Sequence, residues 1–143
     1  MLSPQYGVRE GRFIPCPTSR ACVSSQADEP TRHIEPLSYE SERLKARDDL
    51  ILALGRFTGV RIVSSHRNYI RAEFPSKVTQ DNGQSDYYFE GEAAMDDVEF
   101  YFSPGEKVVH LRSASRLGVL DLGENRDRIE QLRLYFNSLQ QAD

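Results

Sequence analysis

An α+β fold is what this chain predicts: an antiparallel sheet of about four strands in two hairpins, with two amphipathic helices on one face, as a two-layer sandwich. Three observations carry the prediction. Two stretches place apolar residues at helical spacing, two others alternate apolar and polar residues around short turns, and residues 1 to 37 show neither period.

That first stretch, from Leu2-Ser3-Pro4 to Ile34-Glu35-Pro36-Leu37, reads as an extended arm laid over a single domain of residues 38 to 143. It holds both cysteines, in Cys16-Pro17-Thr18-Ser19-Arg20-Ala21-Cys22. They are close enough for a loop-closing disulfide in an oxidising compartment, and two free thiols in a reducing one is the other reading. Two Cys and the nearby His33 fall one ligand short of a closed zinc site, so no metal set is assigned.

From Ser38 the pattern turns helical. Leu44, Ile51, Leu54 and Phe57, with Leu50 beside them, form an apolar stripe, Ser38 reads as the N-cap and the helix closes near Gly59. Glu40 and Glu42 come early and Lys45 and Arg47 later, as the helix dipole prefers. Val60 to Ser65 and Tyr69 to Phe74 then alternate around His66-Arg67-Asn68. If Ser65 faces Tyr69, Arg61 stands opposite Glu73, and Val60, Ile62, Ile70, Ala72 and Phe74 share the other face.

Residues 75 to 95 read as a long loop or insertion, with the turn Asp81-Asn82-Gly83 and the aromatic run Tyr87-Tyr88-Phe89. A short extra strand is the plainer reading of those aromatics. The second hairpin follows: Val98, Phe100 and Phe102 alternate with Asp97, Glu99 and Tyr101 before Ser103-Pro104-Gly105-Glu106, and a partner strand runs from Lys107 into the serines. Folding about Pro104-Gly105 sets Glu99 against His110 and Asp97 against Arg112. The last helix starts near Asp121-Leu122-Gly123-Glu124, a capping-box-like spacing, and carries Ile129, Leu132, Phe136 and Leu139 on one stripe.

With both helices on one side, the opposite sheet face collects Arg61, Arg71, Glu73, Asp97, Glu99, Tyr101, His110 and Arg112. Such cross-strand ion pairs are commonly no more than a solvated face. As a site, this face and the adjoining loop offer Asp97, Glu99, Arg112, Ser113, Ser115, Arg116, Asn125 and Arg126 as ligand-binding candidates. Arginines, hydroxyls and helix N-terminal amides are the groups that hold anions.

The 143 residues suffice for one modest core. With 38% hydrophobic and 28% charged residues, the composition is that of an ordinary soluble globular protein. Eighteen Lys plus Arg against 22 Asp plus Glu give a net charge of -4, which opposes phosphate neutralisation and disfavours nucleic acid as a partner. No apolar run approaches the ~20 residues of a membrane span, and the N-terminus shows no signal-peptide pattern. No cofactor fingerprint, Gly-rich phosphate loop or nucleophile-base spacing occurs.

Several motifs together resemble one family. They are Phe13-Ile14-Pro15-Cys16-Pro17 with Cys22-Val23-Ser24-Ser25, His33-Ile34-Glu35-Pro36-Leu37, Tyr69-Ile70-Arg71-Ala72-Glu73-Phe74, Asp96-Asp97-Val98-Glu99-Phe100, Arg112-Ser113-Ala114-Ser115-Arg116, and Asp121-Leu122-Gly123 with Asn125-Arg126. The chain is similar over nearly its whole length to the domain of unknown function 1499 family. The resemblance implies a protein of bacteria, cyanobacteria or plastids, exported, periplasmic or thylakoid-associated, and implies no catalytic residue. The acidic, aromatic insertion at 75 to 95 departs from the short apolar link usual there, and Val119-Leu120 stands where an aromatic or small polar residue is common.

Two functions fit these residues. One is a non-enzymatic binding or assembly module that holds an anionic group or a partner chain with Arg112, Arg116 and Arg126. The other is an enzyme acting on a carboxylate or phosphate substrate, hydrolase- or isomerase-like, with Asp96, Asp97 or Glu99 as base and the arginines as charge stabilisers. The first is favoured because no catalytic spacing is present.

Overall fold

The computed structural model of the chain describes residues 6–18, 21–75, 77–78, 87–88, 95–116 and 123–142. A small hairpin of β1 (Val8–Arg9) and β2 (Arg12–Phe13) comes first, followed by the short strands β3 (Cys22–Ser24) and β4 (Leu37–Ser38). Helix α1 (Arg43–Leu54) leads into a meander of β5 (Arg61–His66) and β6 (Tyr69–Pro75). A two-strand ribbon, β7 (Lys77–Val78) and β8 (Tyr87–Tyr88), precedes the long pair β9 (Met95–Phe102) and β10 (Val108–Ser115), and α2 (Glu124–Gln141) closes the fold.

The main sheet has six strands rather than about four, ordered β3-β10-β9-β6-β5 with β4 also on β10. The two added strands come from the segment read as an arm. Their two or three residues are too short for any period to show, and their partner β10 lies about 90 residues from β3 and about 70 from β4 in sequence, where only tertiary pairing can place it. Every named pairing in the sheet is antiparallel.

Strand alternation sorts the core. Ile70, Ala72 and Phe74 of β6, Val98, Phe100 and Phe102 of β9, and Val109 and Leu111 of β10 point to one face, where they join Ala46, Leu50, Ala53 and Leu54 of α1 and Ile129, Leu132 and Phe136 of α2 in a single buried cluster. Both helices therefore cover the same face, as the apolar stripes predict. Leu44 is a correction. It lies on the solvent side of α1 with 66% of its surface exposed, and Ala46 and Ala53 take the inward positions instead.

The start of α1 also differs. Ser38 is in β4, and the helix opens at Arg43 behind Glu42, whose side chain makes no capping bond. No acidic residue falls in its first turn and no basic residue in its last, so the expected dipole pattern is not realised. The cause is packing upstream: Leu37 is fully buried, Tyr39 N–H donates to Lys107 O, and Lys107 Nζ donates to the carbonyls of Glu40 and Ser41. These bonds hold residues 37–41 extended along the base of β10. Gly123 is the N-cap residue of α2, and Asp121, the proposed capping residue, lies outside the described residues.

Hairpin registers are partly as expected. Arg61 faces Glu73, but the ladder slips between Ile62 and Ser64, so His66 rather than Ser65 faces Tyr69. In the second hairpin Arg112 faces Glu99, His110 faces Tyr101 and Asp97 faces Ala114, a shift of two residues from the predicted pairing. The loop explains it. Ser103 Oγ donates to Glu106 Oε1, Glu106 N–H donates to Ser103 O, and Val108 pairs with Ser38, so the β9–β10 ladder starts only at Phe102 and Val109.

Cys16 and Cys22 form a disulfide, with Cα atoms 5.6 Å apart, well within the usual span. It ties the stretch after β2 to the edge strand β3. Closing so short a loop restricts the unfolded chain modestly, so replacing both cysteines with serine is expected to lower unfolding free energy by about 2 kcal/mol. Urea denaturation of the oxidised protein against the double variant measures this. No helix among the described residues is long and apolar enough to cross a membrane.

Candidate functional site

The sheet face away from the helices is neither apolar nor open. Arg71 and Glu73 of β6, Asp97, Glu99 and Tyr101 of β9, and His110 and Arg112 of β10 alternate onto it, as the sequence predicts, and Tyr69 of β6 joins them. Arg116 extends the row just beyond β10. Asp97 takes a two-pronged bond from Arg116, Nε to Oδ2 at 2.8 Å and Nη2 to Oδ1 at 2.7 Å, and a third from Arg71 Nη1 at 2.8 Å. Glu73 receives Arg116 Nη2 at 2.6 Å and Arg61 Nη2 at 2.8 Å. A planar fork matched to a carboxylate is the strongest geometry open to such pairs.

Glu99 sits at the centre and is fully buried. Its Oε1 accepts the Tyr69 hydroxyl at 2.8 Å and the Gly7 N–H at 2.6 Å, and its Oε2 faces Arg112 Nη1 at 3.3 Å. Burial raises its carboxyl above the ordinary range despite these donors, and burial likewise lowers Arg112. Burial raises the Tyr69 phenol, with the Glu99 charge adding to it. At Glu73 the balance reverses: burial pushes upward, but hydrogen bonds from Arg61 and Arg116 and the charge of both outweigh it, so its carboxyl is held low. Arg116 is held above its usual range, first by its bond to Asp97.

The Glu99 shift has a measurable sign. Raised above its unfolded value, this group keeps its proton in the folded chain over an interval where the unfolded chain has lost it. Its contribution is therefore full below the ordinary carboxylate range and declines as pH rises through the folded value. Glu99→Gln should flatten that part of the profile of Tm against pH, leaving the acid-side fall governed by groups such as Glu73.

The roof over this face is the start of the chain. The Tyr6 ring lies 3.8 Å from the Arg71 guanidinium carbon, Gly7 bonds Glu99, and Phe13 is buried. Gln26 clamps the β1–β2 hairpin by accepting Phe13 N–H and donating to Gly11 O. Gly7 has φ +119°, a left-handed-side conformation that glycine tolerates and other residues rarely adopt. Next to this roof, Ser25 Oγ accepts the Leu111 N–H and lies 2.9 Å from His110 Nδ1. Burial lowers the His110 pKa, which favours the neutral imidazole in that contact.

The candidate residues thus divide. Asp97, Glu99, Arg112 and Arg116 share the roofed face. Ser113 and Asn125 lie on the helix side, fully buried, where Ser113 Oγ donates to Asn125 Oδ1 at 2.6 Å. Ser115 is also on that side, facing Asp96. Arg126 is elsewhere again, donating to the carbonyls of Thr31 and His33 and so lacing α2 to the preceding segment.

At the heart of the helix-side group is a residue that the sequence reading did not single out. Arg128 donates to Asp96 Oδ2 at 2.6 Å, Asn125 Oδ1 at 2.8 Å, Ser113 Oγ at 3.1 Å and Glu124 Oε1 at 3.1 Å. Its signal was present, because position 128 falls beside Ile129 on the stripe continued by Leu132 and Phe136. An arginine on an apolar stripe requires a buried acid. Tyr6 and Gly7 carried no comparable signal, since their partners are set by the path of the N-terminal segment. Among the described residues no group of three or more His, Cys, Asp or Glu side chains is placed to hold a metal ion.

A family model described as "Protein of unknown function (DUF1499)" matches residues 12–136. No curated protein and no solved structure matches the chain.

Proposed function

The chain belongs to the DUF1499 family, and from that premise we propose that it is a non-enzymatic binding module whose face of β6, β9 and β10 docks a polypeptide segment. The observation that carries this reading is the segment already there: Gly7 N–H on Glu99 and the Tyr6 ring on Arg71. A small free anion fits less well, because Arg61, Arg71, Arg112 and Arg116 each already contact a carboxylate that the anion would have to displace.

Photo-crosslinking in the native source tests the reading. A benzoylphenylalanine at position 61, whose arginine side chain is 73% exposed beside this face, should capture a defined partner. The same probe at Leu134, exposed on α2, should not. Equal adducts at both positions, or none at 61, would remove the proposal.

One observation favours an enzyme instead: a buried carboxyl with a raised pKa, bonded to a tyrosine, is the kind of group that serves as a general acid or base. Asp96 and Asp97 suit that role less, because each is held by guanidinium. Turnover present in the wild type and lost in a folded Glu99→Gln variant would establish the enzyme.

A further inference from the structure

Resting on the docking reading, we propose that Arg71, Glu99 and Tyr69 form a recognition seat for an aromatic residue followed by glycine in a partner polypeptide, and that Tyr6–Gly7 fills this seat in cis as a built-in competitor.

Three features define what the seat takes. The flat guanidinium of Arg71, held by Asp97 at 2.8 Å, presents its face to a ring at 3.8 Å. Next to it, the Oε1 atom of Glu99, already oriented by Tyr69, accepts one backbone N–H. The residue that supplies that N–H turns at φ +119°, and only glycine takes this conformation without strain. Ring, glycine and N–H together describe an aromatic-glycine step, and a free carboxylate or phosphate would satisfy none of these three features.

Two further observations separate the seat from its present occupant. Among the described residues Arg71 Nε is buried without a hydrogen-bond partner, so the Tyr6 ring covers the guanidinium without satisfying that donor. Tyr69, Arg71 and Glu99 all lie within the matched segment 12–136, whereas Tyr6 and Gly7 precede it. The seat therefore lies inside the matched segment and its occupant ahead of it. Among the described residues the occupant itself meets the seat through one stacked ring, with 37% of Tyr6 left exposed, and one hydrogen bond.

The test uses a capped synthetic peptide of residues 3 to 9 of this chain, Ser3-Pro4-Gln5-Tyr6-Gly7-Val8-Arg9, titrated into full-length Tyr6→Ala by calorimetry. Binding is expected there, and at least about tenfold weaker in the wild type, where the seat is occupied. The same peptide with its tyrosine replaced by alanine, or N-methylated at the glycine to remove the donor, should lose binding. The peptide changes need no new protein variant, so a folding failure cannot imitate them. A melt of Tyr6→Ala/Arg71→Gln checks that its expected loss of binding is not unfolding. Equal affinity for wild type and Tyr6→Ala, binding that survives N-methylation, or no binding to Tyr6→Ala overturns the seat. If crosslinks at position 61 persist while the peptide fails, the aromatic-glycine rule falls and the docking reading stands; loss of both removes both.

Discussion

Arg128→Met is expected to lower the unfolding free energy by about 3–5 kcal/mol, because it breaks a buried ion pair from one side. Asp96 is 1% exposed and Asn125 and Ser113 are fully buried, so removing the guanidinium leaves a carboxylate and two polar groups enclosed among apolar neighbours. Methionine fills much of the volume, so the loss reports the broken ion pair rather than a cavity. Urea denaturation gives the number. Pairing the change with Asp96→Leu should recover a large part of the loss, since an enclosed ion pair is commonly replaceable by apolar groups. A double variant no more stable than Arg128→Met would show that the arginine acts through packing alone, for instance through its guanidinium 5.0 Å from the Phe74 ring centre.

Phe100→Ala should cost about 3–5 kcal/mol by a different route. Phe100 lies on β9, the strand between β10 and β6, directly between Leu111 and Ile70 and facing both helices with no exposed surface. A strand hydrogen-bonded on both sides cannot collapse into the space, so the cost belongs near the upper part of that range. Leu44→Ala is the control. It removes a leucine that the helical periodicity assigns to the core but that stands in solvent, and its effect should stay within about 0.5 kcal/mol. A large loss at Leu44 would contradict the packing described for α1.

What the sequence made legible follows from what its patterns can encode. Alternation in Val98, Phe100 and Phe102 and the stripe of Ile129, Leu132 and Phe136 fixed which faces meet. Alternation cannot fix register to better than two residues, because a slip of two returns every side chain to the same face. That is the slip found in the second hairpin, where Arg112 meets Glu99 rather than Asp97. In the first hairpin the charge match of Arg61 with Glu73 was right, while the irregularity after Ile62 left no trace in composition.

The candidate site was legible as a set of residues and not as one place. Asp97, Glu99, Arg112 and Arg116 do gather, but Ser113 and Asn125 alternate to the other side of the same strand pair and its helix. Residues that neighbour each other in a strand point to opposite faces, so a motif such as Arg112-Ser113 divides between two environments by geometry alone. The roof of Tyr6 and Gly7 was not legible, because a contact across 92 positions leaves no local period.

The slip between Ile62 and Ser64 bears on how the molecule behaves in a crowd. A sheet that is not closed on itself offers two rows of backbone groups to any passing chain, and long flat borders seed filaments. Here β5 forms one border, and the extra residue Val63 twists it out of a straight ladder while Arg61 adds charge. The other border is divided between β3 and β4, too short to template a neighbour. Both margins of the main sheet are thus blunted against indiscriminate edge-to-edge association.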